Sequence, residues 1–192
     1  MEEPVIFSTV VEGTKKAFGA RLTPALLAKL RDAGMDFNSG APAYPMDAFL
    51  RAFHVLADEL VPDEPDANRR YRRLGHDFMA GYVETGLGRA TLMMAKLIGL
   101  RRALERLGRN LYTTGNYLTV ELVNVSPTCL LAITRVRPVF HSFVTDAWGV
   151  IAQYRLGIFD AVFELLGTPG TIELLGDSRF ETRFRLTWEV KR

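Results

Sequence analysis

Apolar positions recur with a helical period in the first part of the chain and a strand period in the second. Val5-Ile6-Phe7 is a short, apolar, β-prone run. Thr9 to Glu12 then has the spacing of a capping box, which predicts a short helix to about Phe18. Thr23-Pro24 sets a capping hydroxyl before a first-turn proline, and Leu26, Leu27 and Leu30 give the helix that follows one apolar face, ended by Gly34. Pro45 opens a third helix, in which Phe49, Phe53, Leu56 and Leu60 recur at alternating spacings of four and three. Ala67 to Leu74 and His76 to Thr85 read as one helical stretch with a kink expected at Gly75. Leu87 to Ile98, rich in leucine and methionine, and the basic Arg101 to Leu107 complete the helical part.

The pattern changes at Thr113-Thr114-Gly115-Asn116. Tyr117 to Val125 alternates with period two, Ser126-Pro127 turns the chain, and Thr128 to Val136 alternates again, so these strands are expected to pair antiparallel. Ala147 to about Leu166 reads as one long helix, with Gly157 and Ala161 allowing a neighbour to approach closely, and Gly167-Thr168-Pro169-Gly170 stops it. A terminal hairpin follows, Thr171 to Leu175 and Phe180 to Val190. It sets Phe180, Thr182, Phe184, Leu186 and Trp188 on one face. This order predicts an α+β fold: an N-terminal helical part, then a four-stranded antiparallel sheet with one long helix. The chain is read as a single domain over residues 1–192, with a helical subdomain over about 1–112 and a sheet-plus-helix subdomain over about 113–192.

Composition narrows the functional classes. Of 192 residues 48% are hydrophobic, and 24 basic against 22 acidic side chains leave a net charge of +2. That is a globular balance without the basic excess expected of a nucleic-acid partner. The one cysteine, Cys129, excludes an intramolecular disulfide and is read as a buried, unreactive mid-strand thiol. The acidic start lacks the apolar run of a signal peptide, and no stretch reaches the roughly 18 apolar residues of a membrane span. A cytoplasmic protein is therefore expected.

Three short motifs carry a family resemblance: Gly115-Asn116-Tyr117 before a strand pair, Leu156-Gly157-Ile158-Phe159 through Leu165-Leu166-Gly167, and Phe184-Arg185-Leu186-Thr187-Trp188. With Leu22-Thr23-Pro24 and Leu87-Gly88-Arg89-Ala90, the chain resembles a myxobacterial paralogous family of domains of unknown function, about 200 residues long. Its C-terminal half is similar to the wider superfamily of haem nitric-oxide-binding domains, 4-vinyl-reductase domains and TRAPP subunits. The resemblance implies binding of haem, of small apolar molecules or of protein partners, and fold alone does not choose among them.

The candidate chemistry is sparse. His54, His76 and His141 include no pair at metal-ligand spacing, so no metal site is expected. His76 is the best-placed axial ligand for a haem, but the Tyr-x-Ser-x-Arg signature of the haem-binding relatives is absent, and no cofactor is expected. Arg69 and Arg73 share a helix face and can grip an anion. The acidic run from Asp58 to Asp66 lies just before them and favours a solvated, self-paired face over an anion site. No nucleophile elbow, phosphate loop or dinucleotide fingerprint occurs, so no catalytic residues are assigned. Met93, Met94 and Leu97 on one helix, with Trp148, Phe159 and Phe163 on another, are the candidate lining of an apolar pocket between helices and sheet; ordinary core packing uses the same residue types.

The expected role is a non-catalytic sensory or regulatory module that binds a small, mainly apolar ligand between helices and sheet. The alternative is a homodimeric protein-interaction module of TRAPP-like fold, with a symmetric dimer as its form.

Overall fold

The computed structural model describes residues 2–110 and 114–189. Strand β1 (Val5–Phe7) runs directly into helix α1 (Ser8–Phe18). The expected capping box does not open this helix. It starts from Phe7 with no side-chain cap. The Phe7 N–H instead donates to the Thr114 carbonyl (2.9 Å) and the Ser8 N–H to the Pro42 carbonyl (2.9 Å), so distant backbone does the work of a cap. β1 pairs antiparallel with β2 (Ala43–Pro45), Ile6 opposite Tyr44. Three residues are too short to carry a readable period, so β2 is found only through its partner.

Helix α2 (Pro24–Asp32) is capped as expected: the Leu26 N–H donates to the Thr23 hydroxyl at 3.2 Å. Helix α3 (Met46–Leu60) buries Phe49, Phe53, Leu56 and Leu60. Helix α4 (Ala67–Tyr82) begins at Asp66, whose carboxylate accepts the Arg69 N–H at 2.9 Å. The helix is continuous through Gly75, as one helical stretch was expected. The missing side chain at Gly75 serves packing against α7. Helix α5 (Gly86–Ile98) is separated from α6 (Leu100–Asn110) by Gly99, whose φ of 82° lies in the region open to glycine.

The sheet contains β3 (Leu118–Ser126), β4 (Cys129–Val136), β5 (Gly170–Asp177) and β6 (Glu181–Trp188). All neighbours are antiparallel, in the order β3-β4-β6-β5. The two expected hairpins are both present. They are joined through β4 and β6, with Ala132 opposite Phe184. One face carries Leu130, Ala132, Thr134, Thr182, Phe184, Leu186 and Trp188, all buried. Cys129 opens β4 rather than sitting mid-strand, and it is half-buried beside the Thr187 hydroxyl at 3.8 Å. The long helix is shorter than its apolar pattern suggests. Asp146–Gly149 forms a 3-10 turn, and α7 proper runs Val150–Leu165. The expected boundary near residue 113 and the strand end at Val190 lie outside the described residues.

Two clusters of buried side chains result. The first holds α1 to α4 together with Tyr117, Val136, Phe140 and Ile151. The second joins the sheet face to α7, α6 and the end of α4. Helices α4 and α7 contribute to both clusters, and their axes are brought together at Gly75 and Gly157. No helix is long and apolar enough to cross a membrane among the described residues.

Candidate functional site

Two clefts flank α7. At its C-terminal half an open, polar cleft of about 780 Å³ lies against α4 and the 167–170 turn. Arg69 and Arg73 both line it, as their shared helix face requires, and Phe163 lies among them. Arg72 grips Asp160 with two bonds, Nε to Oδ2 at 2.5 Å and Nη2 to Oδ1 at 2.9 Å. That carboxylate holds the Arg72 guanidinium above its ordinary range. His76 Nε2 lies 2.9 Å from Glu164 Oε2. The acidic stretch ahead of α4 neutralises part of the arginine run: Arg70 meets Asp58 at 2.5 Å, and Arg69 lies 3.8 Å from Glu64. Arg73 forms no ion pair among the described residues.

The second pocket, of about 270 Å³, lies between the first turns of α7 and the end of the sheet where β4 leaves and β6 begins. Trp148 and Phe180 supply aromatic walls, with Ile151, Val136 and Leu118 beside them. Trp148 is itself braced edge-on against Tyr117, with ring centroids 5.5 Å apart. The rest of the lining is polar. Arg155 Nη1 donates to the Thr134 hydroxyl at 2.9 Å, and Arg179 Nη2 donates to the Val144 carbonyl at 2.7 Å. The Thr182 hydroxyl donates to Asp177 at 2.9 Å. Glu181, also in the lining, is pulled below the usual carboxylate range by Arg183 and Arg135.

The six apolar candidates are not brought together. Trp148 lines the smaller pocket, Phe163 the larger cleft, and Phe159 packs edge-on against Phe184 of the sheet at 5.8 Å. Met93, Met94 and Leu97 point away from the core, 66%, 37% and 80% exposed. The reason is helical geometry. Residues 93, 94 and 97 fall on one arc of α5, while Thr91, Leu92 and Ala95 fall on the opposite arc, which meets α4, α6 and α7. That inner junction leaves only about 30 Å³. Sequence reasoning missed Arg155 and Thr134, which pair across the α7–sheet junction. Their signal, a lone polar residue on an otherwise apolar face, was present at both positions.

Solved structures share this fold. A double variant of the Tt H-NOX domain matches with a TM-score of 0.61 at 12% identity, covering 97% of this chain and 100% of that one. The unliganded Fe(II) H-NOX protein from K. algicida matches at 0.58 and 12% identity, covering 97% and 98%. A single-residue variant of T. tengcongensis H-NOX matches at 0.56 and 12% identity, covering 94% and 96%. At this identity the likeness is one of fold alone.

The residues present do not fit a haem. A haem needs an enclosed cavity of several hundred Å³, by the scale of ligand pockets, and an axial ligand facing it. The apolar junction of about 30 Å³ has no histidine in its lining. His76 faces the open polar cleft and is tied to Glu164. The His54 ring bonds the Tyr71 hydroxyl, and His141 stacks on Phe180 at 3.9 Å. No cluster of three His, Cys, Asp or Glu side chains able to hold a metal occurs among the described residues.

No curated protein matches this sequence. A family match does extend over residues 5–189, through both hydrophobic clusters and both clefts, and the chain belongs to that family, described as a protein of unknown function, DUF2378.

Proposed function

We propose that the protein is a non-catalytic sensory or regulatory module whose small ligand sits in the 270 Å³ pocket between α7 and the sheet. The carrying observation is the pocket's composition: aromatic walls, Trp148 and Phe180, over polar groups, Thr134 and Arg155, that are already ordered by a mutual bond. The ligand is thus less apolar than the residue pattern alone suggests. It needs a flat or aliphatic body and a polar head. Helix α7 supports a signalling role because it belongs to both hydrophobic clusters and touches α4 through Gly157. A ligand that moves its first turns acts on a rigid element shared by the whole fold. The fold likeness to H-NOX domains adds to this reading only as likeness. Native mass spectrometry of protein purified from cells tests it: a retained small mass, lost on Trp148→Ala, is expected, and a ligand-free protein with no mass shift for any added small molecule rejects it.

A second reading is favoured by one observation, the outward apolar arc of Met93, Met94 and Leu97 on α5. Such a patch suits a symmetric dimer contact. Sedimentation at micromolar concentration checks this: a dimer dissociated by Leu97→Glu supports it, and a monomer at all concentrations removes it.

A further inference from the structure

Carboxylates neutralise several of the arginines at and around the two pockets. In the larger cleft Arg72 is closed by Asp160. On the sheet Arg135 lies 2.6 Å from Glu121 and 2.5 Å from Glu181, Arg183 lies 2.6 Å from Glu181, and Arg185 lies 2.9 Å from Glu173. Arg155 has no such partner, and unlike Arg73 of the larger cleft, which also lacks one, it is not exposed. It is half-buried in the pocket wall, donates one bond to Thr134, and has no ion pair among the described residues. A guanidinium has five donors, and with one spent on Thr134 and no carboxylate at ion-pair distance the others are available to an incoming anion.

The carboxylates of the pocket do not supply that charge. Glu181 is shared by Arg135 and Arg183, Asp177 accepts the Thr182 hydroxyl, and Asp146 is exposed. They do restrict what enters. Negative charge in the lining tolerates a monoanion better than a dianion such as phosphate. Arg179, at the same pocket, is spent on the Val144 carbonyl and the face of Phe180, 5.7 Å away. The volume of about 270 Å³ lies just below the range typical of drug-sized ligands, about 300–1,000 Å³.

We propose that Arg155 anchors the carboxylate of a small organic acid, with the acid's apolar body against Trp148 and Phe180. The proposal rests on the pocket reading above and names the chemical class that fills it. A guanidinium and a carboxylate match in plane and spacing, so the two bonds can form together.

The test compares acids with their neutral twins on the full chain. Benzoate, phenylacetate and hexanoate are titrated by calorimetry and thermal shift beside benzamide, phenylacetamide and hexanamide, with inorganic phosphate as a separate arm. At least one acid is expected to bind ten-fold or more tighter than its amide, to change Trp148 emission, and to outcompete phosphate. Arg155→Met is expected to erase the acid-over-amide preference, and Arg155→Lys to restore part of it. Amides that bind as well as the acids and still perturb Trp148 overturn the anion anchor while leaving the pocket reading standing. Phosphate binding that matches the acids overturns the carboxylate class. Silence of Trp148 to every probe overturns both. The acid–amide comparison on the unsubstituted chain decides the proposal even if an Arg155 variant folds poorly.

Discussion

Gly75 of α4 and Gly157 of α7 meet at the helix crossing, each where the other helix's backbone fills the space a side chain would take. A Cβ on Gly75 would lie 2.0 Å from the Tyr154 carbonyl oxygen, and one on Gly157 would lie 1.7 Å from the Arg72 carbonyl oxygen. Backbone cannot step aside as a flexible side chain can, so either alanine must push the helices apart. Gly157→Ala is expected to destabilise by about 3 kcal/mol, the upper end of ordinary overpacking, well above the roughly 1 kcal/mol that alanine gains in helix propensity. Gly86→Ala, with open space around it, is the control and should cost nothing. Urea denaturation of both variants measures the difference.

Trp188 is 7% exposed, on the same sheet face as Phe184 and Leu186. Trp188→Ala is expected to cost about 3–5 kcal/mol, as other core aromatic deletions do. A blue-shifted emission component lost in this variant, together with a lowered Tm, confirms the burial. Unchanged melting contradicts it.

The Arg72–Asp160 pair links α4 to α7 near the same crossing, and both side chains are partly exposed. Solvent screening brings its expected worth down to about 1 kcal/mol, below that of a fully buried pair. A double-mutant cycle with Arg72→Met and Asp160→Asn should return that coupling and lose part of it in high salt. Coupling indistinguishable from zero means that the paired geometry contributes only orientation.

Tyr154 packs edge-on against Phe53, with centroids 4.6 Å apart, and burial pushes its phenol well above the ordinary tyrosine range. In the unfolded chain the phenol ionises near pH 10, while in the folded chain it stays protonated beyond that. Between these two values the unfolded state binds fewer protons, so stability falls as pH rises above about 10. Tyr71 and Tyr82 are also raised by burial and share the effect. Tyr154→Phe should therefore flatten the alkaline fall without abolishing it, as read from denaturation midpoints between neutral and alkaline pH.

Haem reconstitution is expected to give no sharp Soret band, because the apolar junction among α4 to α7 leaves only about 30 Å³ with no histidine in its lining, and His76 is tied to Glu164. A band that appears in the unsubstituted protein and vanishes in His76→Ala would reverse this.

Much of the local structure was legible in residue order. The Thr23 hydroxyl before Pro24 announced α2, and the period-two run from Thr182 to Trp188 identified the buried face of β6. Both β-hairpins followed from alternating runs split by short turns. These features depend on neighbours a few residues apart, and such interactions are written in sequence spacing.

Tertiary structure decided which faces found which partners. Period alone could not say that Gly75 marks a helix crossing, because the backbone that fills its place comes from Tyr154, 79 positions later. Nor could it choose the inner arc of α5. Both arcs are apolar, and the one with the smaller residues, Thr91 and Ala95, went inward, leaving Met93 and Leu97 outside. The candidate site was the least legible part. Arg155 and Thr134 each show in sequence only as a polar residue on an apolar face, one on a helix and one on a strand, and they become a paired polar anchor only when α7 is laid across the sheet. Periodicity specifies which residues share a face; what covers that face depends on contacts distant in the chain, which only packing brings together.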